Sequence, residues 1–228
     1  MRLDKLISHA TAFTRSQAKL TIKKGNITVN DEVITNPAQK IDEDAQVSYM
    51  GVAIKTPQPR YIMLNKPEGV VCANKDHQHR TIFDSLFLPR IETLHVAGRL
   101  DIDTTGLVLI TDDGQWLHRI TSPKYKHKKT YLVTVDRPIT KNQIQQLKQG
   151  IQLKAEKKPC LPAEVEQLEE NKIRLIISEG KYHQVKRMMA AVDNHVIKLH
   201  REKIAHIFLD ERLKAGEWRA LTASEIDL

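Results

Sequence analysis

The chain has 228 residues, of which 40% are hydrophobic and 28% are charged. This length and apolar fraction are sufficient to fill hydrophobic cores, so we expect a globular protein. The sequence nowhere approaches the roughly 18 consecutive apolar residues of a membrane span, which predicts a cytoplasmic protein that contacts no membrane. Cys72 and Cys160 lack the paired spacing of a zinc site, and we expect neither a disulfide framework nor a bound metal.

The charge balance is basic, with a formal net charge of +8 and a pI near 9.4. Such an excess favours a polyanionic partner such as nucleic acid, although many ordinary basic proteins have similar values. Positive residues outnumber negative ones both before and after residue 60, so a polyanion could contact both parts.

The first part of the chain predicts two helices followed by a small sheet. Residues 2 to 8 favour a short helix, and Thr14 or Ser16 can cap a second helix that runs to Lys24 and stops at Gly25. Apolar alternation then predicts strands at residues 27–29, 32–34 and 46–49, and the first two are joined by a tight turn.

The second predicted helix carries a basic stripe. Arg15, Lys19 and Lys23 recur every four residues and share one face, while Ala18 and Ile22 fall on another. Periodicity alone leaves two interpretations open, a solvated surface or a nucleic-acid contact.

Residues 2 to about 48 resemble the S4 RNA-binding domain of ribosomal proteins, with Leu-Asp-Lys-Leu near the start and Val-Asn-Asp-Glu in the hairpin. The resemblance implies a set of contacts with RNA phosphates, which position a protein without reading sequence. The implied residues are Arg2, Lys5, Arg15, Lys19 and Lys23.

Two prolines and polar residues at positions 55–60 predict an extended linker and a domain boundary near residue 59. We therefore expect an RNA-binding domain with its linker at residues 1–59 and a larger domain at residues 60–228. In the larger domain, helical patterns fit residues 81–86, 114–121, 141–149 and 182–192. Strand patterns fit residues 60–66, 94–96, 107–110, 130–136, 163–168, 172–178 and 195–199. This mixture predicts an α+β fold with a mixed, mainly antiparallel sheet and flanking helices.

Residues 98 to 107 read GRLDIDTTGL and place Asp101 in a tight loop at the end of an apolar strand. A rigid sheet can hold such a side chain over a cleft, although an aspartate between glycines can also bond only its own backbone. Asp103 in the same loop is expected to be a turn or capping residue. The pattern resembles the catalytic loop of the pseudouridine synthases, which implies that Asp101 attacks a target uridine.

Three later segments resemble the same family in the same order, at residues 128–131, 173–188 and 199–204. The resemblance implies that Tyr131 stacks on the uracil and assists removal of the C5 proton. It also implies that Lys186 pairs with Asp101, which opposes the tendency of burial to neutralise a carboxylate. The last segment is interpreted as scaffold plus RNA contact.

Further residues of this domain are expected to contact substrate or RNA. Arg99 is implied to enter the place of the extruded base, Leu175 to form an apolar floor, and His183 either to hold its loop or to touch RNA. The basic run at residues 124–129 is either a solvated cluster or a phosphate contact, which we favour. The expected substrate contacts are Arg99, Leu175, Gln184, Lys129 and Arg187, and the expected phosphate contacts of the run are Lys124, Lys126 and Lys128.

The family resemblance implies isomerisation of uridine to pseudouridine without a cofactor. Similarity is strongest to members that act on 16S rRNA, at uridine 516, but relatives with the same two-domain layout modify 23S rRNA. We therefore expect a monomer that acts on 16S rRNA or a small-subunit assembly intermediate. The alternatives are an enzyme for 23S rRNA, a non-catalytic rRNA chaperone and, ranked last for want of a second carboxylate, an enzyme that frees uracil.

Overall fold

The computed structural model describes residues 1–42, 44–55 and 58–228. They form two compact units, an N-terminal unit, Met1–Gln58, and a C-terminal unit, Pro59–Leu228. The extended linker predicted at positions 55–60 includes Thr56 and Pro57, which lie outside the described residues. Within those ranges, every helix is too short or too polar to cross a bilayer.

The N-terminal unit packs two helices against a four-stranded antiparallel sheet. Thr14 begins the second helix with a capping box, in which its hydroxyl and the Gln17 side chain each accept a hydrogen bond from the other residue's backbone N–H. Positive φ angles at Asn30 and Asp31 form the predicted two-residue turn. The helices are α1 (Leu3–Ala10) and α2 (Arg15–Lys23), and the strands are β1 (Ile27–Val29), β2 (Glu32–Val33), β3 (Val47–Tyr49) and β4 (Val52–Ile54), in the order β2-β1-β3-β4.

The C-terminal unit is built on one large sheet whose strand order is β13-β5-β7-β11-β8-β10-β9, with β6 beside β7 and β12 beside β11. The strands are β5 (Tyr61–Lys66), β6 (His95–Ala97), β7 (Thr105–Thr111), β8 (Lys129–Val135), β9 (Glu164–Glu169), β10 (Lys172–Ile177), β11 (Val196–Ile204), β12 (Ile207–Phe208) and β13 (Trp218–Ala220). The helices are α3 (Gly114–Thr121), α4 (Lys141–Gln149), α5 (Gln184–Ala191) and α6 (Ala223–Ile226). Only the β7–β11 pairing is parallel among the described strands, so the predicted mixed, mainly antiparallel sheet is confirmed.

The helix predicted at residues 81–86 is wrong, because this segment forms turns. The backbone N–H and hydroxyl of Thr81 both donate to the Asp84 carboxylate, which closes a local turn instead of a helix. Ile82, Phe83 and Leu86 have helical spacing, but they insert into the main core from this irregular segment.

The closing part of the sheet is more extensive than predicted. The strand predicted at residues 195–199 continues to Ile204, and the sequence analysis missed β12, β13 and α6. The helix predicted from residue 182 begins at Gln184, because His183 has the left-handed conformation, with φ +46°. The strands β7, β11, β8 and β10 are neighbours in this sheet, and the candidate site lies beside them.

Candidate active site

The loop that joins β6 to β7, residues 98–104, is called the aspartate loop below. Its Asp101 carboxyl group is 27% exposed and faces a cavity of about 220 Å³. Tyr131 and Lys186 line the same cavity, so the structure brings the three predicted catalytic residues together. This volume lies just below the range of about 300–1,000 Å³ of small-molecule pockets, which suits one extruded base.

Two buried cations hold the backbone of the aspartate loop. Lys66, which is fully buried, donates to the carbonyls of Pro67 at 3.0 Å, Ile102 at 3.3 Å and Thr104 at 2.7 Å. Arg201, which is 1% exposed, donates to the carbonyl of Gly98 at 2.9 Å and also to that of Leu107. A buried charge is stable only with such partners, so these contacts fix where Asp101 can point.

The Asp101 carboxylate lies between two basic side chains of the α5 region. Its Oδ2 is 3.2 Å from Lys186 Nζ, and its Oδ1 is 3.3 Å from His183 Nε2. The predicted pairing of Asp101 with Lys186 is therefore present in the structure. Lys186 Nζ also lies 2.5 Å from Oδ1 of Asp103, which the sequence analysis assigned only to the turn.

The electrostatics of this cluster favour charged groups. Burial alone would lower the pKa of Lys186, but hydrogen bonds and charge from Asp103 and Asp101 raise it above its ordinary value. The hydrogen bond from Lys186 in turn lowers the pKa of Asp103. The ammonium group is therefore protonated at neutral pH, as an ion pair with a carboxylate requires.

Tyr131 enters the cavity from β8 and is 8% exposed. Its hydroxyl makes no hydrogen bond within the described chain, so it is available to a ligand. Leu175 lies opposite Tyr131 in the β8–β10 register but is fully buried in the core and does not line the cavity. Ile177, two residues further along the same face of β10, is an apolar residue that lines the cavity.

Gln184, predicted to contact substrate, lines the cavity, and its amide also holds the preceding loop. Its Oε1 accepts from the backbone N–H of Lys181 at 2.9 Å, and its Nε2 donates to Glu179 at 3.0 Å. Arg187, also predicted to contact substrate, has partners within the chain. It binds Glu156 and the Lys154 carbonyl, and it lies outside the cavity lining.

Arg99 and Lys129, both predicted to contact substrate, line the cavity. Arg99 is exposed and has no ion pair among the described residues. Lys129 donates to the His127 carbonyl at 3.0 Å, and burial lowers its pKa.

The side chains predicted to contact phosphates are exposed, but some of them already form ion pairs within the chain. Lys128 forms an ion pair with Glu164, whereas Lys124 and Lys126 make no side-chain contact in the part of the chain that the structure describes. In the N-terminal unit, Arg2 and Arg15 lie 2.9 and 3.5 Å from Oδ2 of Asp4. Of the residues predicted to contact RNA in that unit, Lys5, Lys19 and Lys23 are exposed and have no ion pair among its described residues.

The sequence analysis missed Lys66 and Arg201 as anchors and Asp103 as a partner of Lys186. A signal was present for Lys66, because it is a charged residue at the end of the apolar strand β5, immediately before a proline. Arg201 belongs to a segment interpreted as scaffold plus RNA contact, and its burial assigns it to the scaffold.

Comparison with known proteins identifies the family. A family model described as RNA pseudouridylate synthase matches residues 60–191, and one described as S4 domain matches residues 1–47. Proteins named ribosomal small subunit pseudouridine synthase A from Vibrio cholerae and Escherichia coli are 50% and 49% identical to this chain, and each alignment covers 99% of this chain and 98% of the relative. A solved pseudouridylate synthase structure, 46% identical, matches with a TM-score of 0.73 over 100% of this chain and 98% of its own. The chain therefore belongs to the RNA pseudouridine synthase family and carries an S4 domain ahead of its catalytic domain.

Proposed function

We propose that this enzyme converts one uridine of 16S rRNA, uridine 516, into pseudouridine during assembly of the small ribosomal subunit. The names of the relatives support the small-subunit substrate. The observation that carries the assignment of the site is the ion pair of Asp101 and Lys186 in a base-sized cavity beside Tyr131.

The reaction breaks the C1′–N1 bond of uridine, turns the uracil, joins C5 to C1′ and moves the C5 proton to solvent while N1 gains a proton. An ionised Asp101 begins this sequence by attacking C1′ or by removing a ribose proton. Both routes need a charged carboxylate, which the ammonium of Lys186 favours. Tyr131 then stacks on the uracil, and its unbonded hydroxyl lies in the cavity where the C5 proton leaves.

The target base must leave its stack before it can reach Asp101, at a cost of a few kcal/mol. Arg99 is suited to occupy the vacated place, because its guanidinium is exposed beside the cavity with no ion pair in the described chain. The lysines of α2 and of the run at residues 124–129 hold the surrounding phosphates. One chain supplies Asp101, Tyr131 and Lys186, so we propose that it acts as a monomer.

The test uses Asp101→Asn, which removes the charge but keeps the size of the side chain. Wild type and variant are incubated with 16S and 23S rRNA, and pseudouridine is mapped by primer extension after carbodiimide treatment. We expect one modified uridine in 16S rRNA and a rate loss of roughly 10⁴-fold or more in the variant. Asp136→Asn is the matched control, because Asp136 is exposed and makes no side-chain contact in the described chain.

Other outcomes separate the competing functions. Modification of 23S rRNA alone would overturn the substrate assignment but not the chemistry. Full activity of Asp101→Asn would overturn the assignment of the catalytic residue. Binding without release of tritium from C5-labelled uridine would indicate a chaperone, and an abasic product would indicate cleavage of the glycosidic bond.

A further inference from the structure

We propose that Asp103 is a positioning residue, which anchors the ammonium group of Lys186 beside the catalytic carboxylate of Asp101. The inference rests on the proposed roles of Asp101 and Lys186 and adds a third charged group to them. It gives Asp103 a part in the reaction. The alternative is that Asp103, whose side chain is 56% exposed, is an aspartate only because it lies in a turn.

The geometry makes Asp103 the closer partner of Lys186. Lys186 Nζ lies 2.5 Å from an oxygen of Asp103 and 3.2 Å from an oxygen of Asp101. Charge-assisted N–H···O contacts are strongest near 2.7–2.9 Å, so the contact with Asp101 is the looser of the two. The hydrogen bond from the backbone N–H of Thr104 to the Asp101 carbonyl, 3.1 Å, closes the turn that places both carboxylates at the same ammonium.

A lysine needs such an anchor more than an arginine would. Its four-carbon stem is flexible and its charge is a point charge with rotatable donors, so a single contact of 3.2 Å holds it poorly. Asp103 fixes the ammonium from the solvent side, where an ionised carboxylate has little desolvation cost. The Asp101 oxygens then remain stabilised by charge without being fully occupied, and one of them can reach the ribose.

The charge balance of the cluster supports this arrangement. The Lys186 ammonium contacts Asp101 and Asp103 of the aspartate loop, and His183 just before α5 contacts the other oxygen of Asp101. Asp103 contributes to the raised pKa of Lys186, and removing its charge lowers that pKa. Since the reaction requires protonated Lys186, loss of Asp103 moves the alkaline fall in activity to lower pH.

The test compares Asp103→Asn with Asp103→Glu in steady-state assays on 16S rRNA across a pH series. For Asp103→Asn we expect an about tenfold lower kcat, equal to about 1.4 kcal/mol, with an unchanged KM and an alkaline limb at lower pH. Asp103→Glu restores the carboxylate, so it recovers most of the rate, and its activity falls at the same alkaline pH as that of wild type. Asp136→Asn controls for the change in net charge.

A double-mutant cycle separates positioning from a general effect of the loop. If Asp103 acts through Lys186, adding Asp103→Asn to Lys186→Met causes no further loss of kcat, because the interaction is already absent. Asp103→Ser, which also suits a turn, replaces Asp103→Asn if that variant does not fold.

Three outcomes would overturn the inference. The first is that Asp103→Asn keeps the kcat of wild type and loses activity at the same alkaline pH. The second is that Asp103→Asn and Asp103→Glu lose kcat equally, and the third is that the losses of kcat add in the double-mutant cycle. If Asp101→Asn is inactive in the same assays, each of these results leaves the proposed function intact. If Asp101→Asn is active, the proposed catalytic assignment itself has failed.

Discussion

The C-terminal unit buries two of its cations, whereas the described lysines of the N-terminal unit all lie at the surface. In the C-terminal unit, Lys66 and Arg201 are 0% and 1% exposed, and each donates to main-chain carbonyls of the aspartate loop or its flanks. In the N-terminal unit, Lys5, Lys19 and Lys23 are exposed and make no ion pair within its described part. Buried cations fix a backbone at one geometry, whereas exposed cations are free to follow a phosphate chain.

The contrast is not complete, because the N-terminal unit contains one buried charge of its own. Asp4 is fully buried, and Arg2 contacts both of its carboxylate oxygens at 2.9 and 3.0 Å. Hydrogen bonds from Arg2 lower the pKa of Asp4. Arg2 therefore has a structural role as well as a predicted RNA contact, and we expect its loss to affect stability and binding together.

The largest loss of stability is expected from Gly106→Ala, at the start of β7 beside the aspartate loop. Gly106 has φ +103°, and a Cβ atom there would lie 2.4 Å from the Arg201 carbonyl oxygen on the parallel strand β11. We expect a loss of about 3 kcal/mol in the free energy of unfolding, or about 6–12 °C in Tm, because backbone must move on both strands. Thermal unfolding followed by calorimetry measures this change.

Gly69→Ala is the matched control for backbone strain alone. Gly69 also has positive φ, +83°, but nothing lies within 4 Å of a Cβ atom added there. Its cost should be about 1–2 kcal/mol, the penalty of a left-handed residue. Equal losses in the two variants would contradict the close contact between β7 and β11 as the cause.

A smaller effect is expected when the buried ammonium is removed by Lys66→Met. At neutral pH the variant should lose about 2 kcal/mol of unfolding free energy, because the carbonyls of Ile102 and Thr104 lose a donor. Chemical denaturation measures this loss. Lys148→Met on the exposed side of α4 is the control, and its stability should be close to that of wild type.

The pH dependence of the same variant has a definite sign. Burial lowers the pKa of Lys66 below its ordinary 10.5, so in the interval between these values the unfolded chain binds more protons than the folded one. The stability contributed by wild-type Lys66 therefore rises with pH up to about 10.5. The destabilisation caused by Lys66→Met should grow over that interval, and a constant difference would contradict a buried ammonium.

The sequence predicted the fold where local patterns and tertiary structure agree. The pattern at residues 114–121 predicted α3 with its observed bounds, and the resemblance placed Asp101, Tyr131 and Lys186, which the structure finds at one cavity. Sequence could not predict the anchor Arg201, because its contact with the Gly98 carbonyl joins residues 103 positions apart. The contact of Arg187 with the Lys154 carbonyl could not be predicted either, because it depends on the path of a loop 33 residues earlier in the chain.

The smallest predicted effect belongs to the exposed face of α2. Lys19→Ala should weaken rRNA binding about threefold at physiological salt and reduce the salt dependence of binding by about one unit of slope, with unchanged kcat. The reason is the loss of one phosphate contact by a side chain that makes no ion pair in the described chain. Filter binding at several salt concentrations measures both quantities.

Two further substitutions, Lys148→Ala and Arg15→Ala, test whether this effect is specific to Lys19. Lys148 is an exposed helical lysine with no proposed RNA contact, so its loss should leave the salt slope unchanged. Arg15 shares the face of Lys19 but lies 3.5 Å from Asp4, so part of its charge is already balanced and its loss should cost less affinity. Equal effects of all three substitutions would mean that RNA affinity depends only on the net charge of the protein. The expected difference between cations held by a carboxylate and cations without an ion pair would then be wrong for the N-terminal unit.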